Sequence, residues 1–277
     1  MAKIAKEIVE KFKERFINYD NLISLTLIGS FSNLNKKLTK FNDLDLVFIF
    51  KKITKKDLNK LKDIAKEIKN KFSNKEIGLT HSFKIGPIKI PSGKKKTIML
   101  HYLVYSKEGY LKYETNPTKF SFQNYKPLIG KSLKKIYSIK KIEREDLFNE
   151  NDGIPAMKRW IKKRKAEYLE PTEKGIKISA KKPEDNLYLE IIFYSVLRLA
   201  SNMLKLKEKY LDTNKTMCKE FIRFYPIKLN EFPKEVLSLK QKLRNGKKFS
   251  KNEIKILRLK TLGFIKQCEN LLKRDKR

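Results

Sequence analysis

The sequence predicts an α/β (α+β) protein: a mixed sheet with helices packed on it, followed by a C-terminal helical bundle. Three observations carry this. Short apolar runs of strand length alternate with helix-length amphipathic segments in the first half, the second half shows helical periodicity, and a stretch rich in glycine and proline separates the two. With 277 residues, 40% of them hydrophobic, the chain can bury one large core or two modest ones. The expected division is 1–130 and 131–277.

In Ala2–Phe16, residues Ile4, Ile8, Val9, Phe12 and Phe16 recur at three- and four-residue intervals, which places them on one face of a helix. Residues 25–28 form a short apolar run ended by Gly29-Ser30, and residues 44–50 a second run rich in Val, Ile and Phe; both read as buried strands. Leu58, Leu61, Ile64, Ile68 and Phe72 restore the helical spacing. Residues 77–90 and 97–105 then read as strands joined through Pro91-Ser92-Gly93. Residues 107–154 carry Gly109, Pro117, Pro127, Gly130 and Gly153 with weak periodicity, and are expected to be irregular connecting structure at a domain border. Residues 157–169, 187–206, 217–224, 236–243 and 254–272 can each carry an apolar face, hence the bundle.

Lys and Arg total 66 against 31 Asp and Glu, a formal charge of +35 spread over both halves. Such a field attracts polyanions, and nucleic acid is the expected partner. The alternative is a lysine-rich composition from A/T-rich coding, which would usually bring glutamate along with lysine. Cys218 and Cys268 lie far apart without CxxC or Cys/His spacing, so neither a zinc site nor a disulfide framework is supported, and a reducing cytoplasm fits. No stretch reads as the roughly 20 apolar residues of a membrane span, and the first twenty residues or so are too charged for a signal peptide. The expectation is a protein not inserted in a membrane.

The segment most informative about chemistry is Ile28-Gly29-Ser30, twelve intervening residues, then Asp43-Leu44-Asp45-Leu46-Val47. Residues two apart in a strand share a face, so Asp43 and Asp45 project together while Leu44 and Leu46 enter the core. Two adjacent carboxylates repel, and a hard cation such as Mg²⁺, which takes carboxylate oxygens together with substrate phosphates, accounts for the pair. Gly29 permits a tight turn after the first strand, and Ser30 can offer its hydroxyl and N–H to phosphate oxygens. The competing reading makes Asp43 and Asp45 exposed edge-strand positions, which the apolar run through residue 50 opposes.

Gly29-Ser30, followed at this distance by Asp43-x-Asp45 inside an apolar strand, resembles the signature of the polymerase β nucleotidyltransferase superfamily. That resemblance implies that Gly29 and Ser30 bind a triphosphate, expected to be ATP, and that Asp43 and Asp45 bind magnesium. A sheet layer followed by a helical bundle is similar to the aminoglycoside adenylyltransferases. Residues 197–224, with Asp212-Thr213-Asn214-Lys215, resemble a helix, turn and helix of their C-terminal domain, which implies that Lys215 reaches the triphosphate; a solvated surface lysine is the plain alternative. One departure stands out. Family members usually place a third carboxylate on a later strand, as metal ligand or as base, yet residues 98–105 contain no Asp or Glu. His101 sits in that place, where a neutral imidazole can accept a hydroxyl proton or simply pack in the sheet. Glu76 and Glu108, near strand ends, are further candidates for the missing carboxylate.

Three functional readings follow. In the first, a nucleoside monophosphate moves from ATP or another triphosphate onto an RNA hydroxyl, such as a tRNA end. In the second, the acceptor is a small antibiotic or a protein side chain; polycationic aminoglycosides would need an acidic pocket on so basic a protein. In the third, a catalytically silent scaffold binds nucleic acid, with the aromatic and lysine-rich residues 110–125 stacking on unpaired bases or serving as core anchors.

Overall fold

Strand alternation in β2 (Phe41–Phe50) decides how the N-terminal half is layered. Leu44, Leu46, Phe48 and Phe50 point to one face and are at most 1% exposed. They meet Ile8, Phe12 and Phe16 of α1 (Ala2–Phe16) and Leu61, Ile64 and Ile68 of α2 (Lys55–Phe72). Phe48 lies at the centre, its ring 5.5 to 6.2 Å from those of Phe12, Phe16, Phe50 and Tyr102. A capping box starts α2: Thr54 N–H donates to Asp57 Oδ2 at 2.7 Å, and Asp57 N–H donates to Thr54 Oγ1 at 3.3 Å. On the opposite face of β2, Val47 and Ile49 pack with Leu103, Tyr105, Tyr110, Leu133 and Tyr137, which leaves the start of that face to Asp43 and Asp45.

The computed structural model describes residues 2–32, 41–73, 77–86, 96–113, 125–137, 141–151, 153–211 and 213–274. Beside β2 run β1 (Leu22–Ile28), antiparallel, and β4 (Lys96–Ser106), parallel. Beyond β4 lies β3 (Ile77–Ser82), parallel to it, and beyond β1 lies β5 (Tyr125–Gly130), antiparallel, so the order is β3-β4-β2-β1-β5. The sheet is mixed, as expected. Pro91-Ser92-Gly93, taken as the joint between strands, falls outside the described residues.

Two expectations are corrected. The stretch after residue 107, expected to be irregular, contains α3 (Lys107–Tyr113), the edge strand β5 and the short α4 (Leu133–Ile136). β5 carries Pro127 opposite Thr26 and has no buried residue, so its sequence bears no imprint of a core. The helix expected over 157–169 is α5 (Ile154–Lys162), which stops before Arg164, a residue with φ 46°. A hairpin of β6 (Ala166–Thr172) and β7 (Gly175–Lys181) follows, with Ala166 and Tyr168 buried at a period of two.

The C-terminal half packs α6 (Asp185–Leu206), α7 (Asn214–Phe224), α8 (Phe232–Arg244) and α9 (Lys251–Arg274) with α5 around Phe193, Phe221, Phe232 and Phe264, none more than 2% exposed. By length and composition α6 is apolar enough to cross a bilayer, which the sequence reading had not singled out; 78% of its most apolar window is buried against the bundle. Cys218 and Cys268 are both buried and unpaired. Burial pushes the Cys218 thiol up to about 11 and that of Cys268 upward as well.

Candidate active site

Where β1 ends, the chain turns beside β2. Ile28 pairs with Asp45, and Gly29 opens a 3₁₀ turn through Phe31 with φ +73°. A Cβ at position 29 would stand 3.0 Å from Asp45 Oδ2, so both the backbone conformation and the space call for glycine. On the other side, the parallel register sets Asp43 against Met99 and Asp45 against His101.

His101 is 7% exposed and has both ring nitrogens engaged. Nδ1 lies 2.8 Å from Asp45 Oδ1, and Nε2 lies 3.2 Å from the Lys84 carbonyl oxygen. A carbonyl only accepts, so Nε2 carries hydrogen. Burial works against charging the imidazole, but the hydrogen bond and charge of Asp45, the charge of Asp43 and the Lys84 carbonyl together hold its pKa above the ordinary value. Asp43 shifts upward for related reasons. Burial first, then the charge of Asp45, push its carboxyl up to about 7, against the pull of His101 and Arg244. Asp43 Oδ1 is buried with no hydrogen-bond partner among the described residues.

Asp43, Asp45 and His101 each offer one ligand atom, and these atoms lie within 4.8 Å of one another. An orphaned carboxylate oxygen facing a second carboxylate and an imidazole is a donor set that fits a divalent cation.

Sequence reasoning did not find several neighbours of this cluster. Lys84, beyond β3, orients His101 through its carbonyl and pairs through Nζ with Glu170 Oε1 of β6 at 2.6 Å. Ile85 bridges to Leu169, so the hairpin is fastened beside the site. From α8, Arg244 is near enough for its charge to act on Asp43. Its Nε lies 3.9 Å from Oε1 of Glu190 on α6, whose Oε2 lies 3.7 Å from Lys240 Nζ. Burial lowers the Lys240 pKa, with Glu190 opposing. The available signal was Glu190 itself, a lone acid in the apolar run Leu187-Tyr188-Leu189-Glu190-Ile191-Ile192-Phe193.

The structure thus brings Gly29, Asp43, Asp45 and His101 together. Ser30 occupies the 3₁₀ turn, and its side chain lies outside the described residues, as do Glu76 and Asp212. Lys215 is exposed in the first turn of α7, which Thr213 caps by accepting from Thr216 N–H at 3.2 Å; no described contact joins Lys215 to the aspartates. Glu108 is exposed on α3. Of the aromatic stretch read either as stacking on bases or as anchoring the core, Tyr110 is 1% exposed and stacks on Tyr137 with centroids 4.5 Å apart, an anchor of the core; residues 114–124 lie outside the described residues.

No family model and no curated protein matches the chain. Among solved structures, it is similar to a spectinomycin adenyltransferase from Enterococcus faecialis determined with ATP and spectinomycin. The TM-score is 0.54 at 12% identity, over 95% of this chain and 99% of that one. The likeness spans sheet and bundle alike, so the chain shares the fold of that structure, the layout implied by its resemblance to the aminoglycoside adenylyltransferases.

Proposed function

We propose that the chain is a metal-dependent nucleotidyltransferase that moves a nucleoside monophosphate from ATP to an acceptor hydroxyl, with 1–130 as catalytic unit and 131–277 as a helical unit closing over it. The observation that carries this is the convergence of Asp43 and Asp45 beside the glycine turn, with one carboxylate oxygen buried and unpartnered. A bound divalent ion, Mg²⁺ in the family's pattern, would neutralise charge on the transferred phosphorus and the departing pyrophosphate. Asp43 and Asp45 would hold the cation. Gly29 leaves the edge of the site free of a side chain, and Ser30, which follows it in the turn, is the residue the family resemblance assigns to phosphate oxygens. Arg244 and Lys240 add positive charge from the bundle side, and Lys215 is a further candidate for the triphosphate. His101 enters in one of two ways: as proton acceptor once Nδ1 leaves Asp45, or with Nδ1 turned to the cation.

For the acceptor, RNA in a cytoplasmic setting is the reading the charge supports. The net +35 includes exposed Lys174, Lys177, Lys181 and Lys182 on and just beyond the hairpin fastened beside the site. A small-molecule acceptor is the second reading, favoured by a structural neighbour solved with spectinomycin. The test incubates the protein and a divalent ion with each labelled triphosphate, and with total RNA or spectinomycin. Label from ATP on a discrete RNA band, fading as salt rises, is expected. Label on spectinomycin alone selects the second reading, and intact ATP with every acceptor overturns the proposal in favour of a silent binding scaffold.

A further inference from the structure

We propose that Nδ1 of His101 is a third metal ligand and that the site therefore prefers a divalent first-row transition ion over Mg²⁺. This rests on the reading of Asp43 and Asp45 as metal ligands and concerns the identity of the ion they hold.

Three features of the geometry support it. Asp45 Oδ1 and His101 Nδ1 are 2.8 Å apart. In the metal-free protein that separation is a hydrogen bond, and it holds the two donor atoms close enough to serve one cation. The bond from Nε2 to the Lys84 carbonyl fixes hydrogen on that nitrogen, so that Nδ1, once it gives up the proton it shares with Asp45, has its lone pair for a cation, which is how metal-binding histidines are held by their surroundings. Asp43 Oδ1, buried and unpartnered, completes the set within 4.8 Å. On binding, the cation takes the place of a proton between Nδ1 and Asp45, and that proton leaves to solvent. Mg²⁺ is bound through oxygen and gains little from imidazole, whereas transition ions accept it readily. The histidine thus shifts selectivity in a place where a carboxylate would keep it with Mg²⁺.

The chain has two histidines, which makes the ligand identifiable. The other, His81, is exposed on β3. The experiment titrates the full chain with Mn²⁺ alone, follows binding by electron paramagnetic resonance, records imidazole-nitrogen modulation by pulsed methods, and then competes with Mg²⁺. Wild type and His81→Asn should show nitrogen coupling to bound Mn²⁺, and His101→Asn should lose it. In His101→Asp, the preference for Mn²⁺ over Mg²⁺ should fall by about tenfold or more, while a change under about twofold overturns the proposal. Absence of nitrogen coupling in wild type overturns it too, and decides the matter even where His101 variants lose their circular dichroism. Coupling without nucleotide transfer would sink the functional reading and leave this site standing. Transfer without coupling does the reverse.

Discussion

The two faces of β2 obey different physical demands within one strand. Leu44, Leu46, Phe48 and Phe50 meet α1 and α2 in an apolar layer where every contact adds to stability. Two residues of the other face, Asp43 and Asp45, place negative charges side by side with one oxygen unpartnered, an arrangement that costs stability until a cation arrives. A strand alternates at a period of two, so a fold can carry that cost on one face while the other secures the backbone under it. Substitutions should therefore separate: those on the apolar face change stability and leave chemistry alone, while those on the acidic face change chemistry above all.

The largest effect is expected from Asp43→Asn and Asp45→Asn, each lowering ATP-dependent transfer by about 10³-fold or more, on the scale of lost charge stabilisation in phosphoryl transfer. Their stabilities should differ. Metal-free Asp43→Asn should unfold at the same or a higher temperature than wild type, because a repelled buried charge is removed. Asp45→Asn should unfold at a lower one, because His101 loses its anionic partner at 2.8 Å. Wild-type turnover in either variant would break the comparison at its root.

Phe48→Ala tests the opposite face. It should cost about 3–5 kcal/mol in denaturant unfolding and leave transfer by the molecules that remain folded near wild type. Loss of transfer in the folded fraction would mean that the faces are not independent.

A pH series sharpens the contrast. The Asp43 carboxyl rises from an ordinary 3.8 to about 7 in the metal-free protein, so between those values the folded state binds more protons than the unfolded one. Stability from this group is thus full below about 4 and is lost as pH climbs toward 7. Glu167 and Glu253, held near 2 by their bonded partners, act at lower pH and in the opposite sense. The decisive quantity is the difference between wild type and Asp43→Asn, which should grow across pH 4 to 7 in the variant's favour. A flat difference would show that Asp43 is not strained.

The smallest effect belongs to the boundary between the faces. Gly29→Ala forces a side chain into φ +73° at 3.0 Å from Asp45 Oδ2, and should cost about 1–2 kcal/mol of stability along with some turnover. A stability loss with unchanged turnover would place Gly29 among the purely structural turns.

The apolar layer was legible because burial prints periodicity on a sequence: the intervals of Ile8, Phe12 and Phe16, and the alternation through β2, can be read without coordinates. The aspartates were legible for the converse reason, as charges inside a run too apolar for an exposed strand. β5 and the β6–β7 hairpin were not, since an exposed edge strand and a largely solvated ribbon select no buried pattern; the few buried positions of β6 merged with the helical spacing of Trp160 and Ile161. The surroundings of His101 were illegible in another way. Lys84 acts through its carbonyl, which any residue could supply, and Arg244 is one cation among 66, selected only by where α8 ends.

The long apolar helix α6 has a consequence for synthesis. Of the helices packed around it, α5 precedes it, but α7, α8 and α9 all follow it in the chain, the last ending at Arg274. A ribosome adding about 5–20 residues per second needs several seconds to deliver the intervening segment. Through that interval the nascent chain presents a 22-residue hydrophobic rod with no native partner for much of its surface. A holdase or trigger-type chaperone should engage the growing polypeptide at that stage, and slowing translation after Leu206 should raise aggregation of the newly made protein.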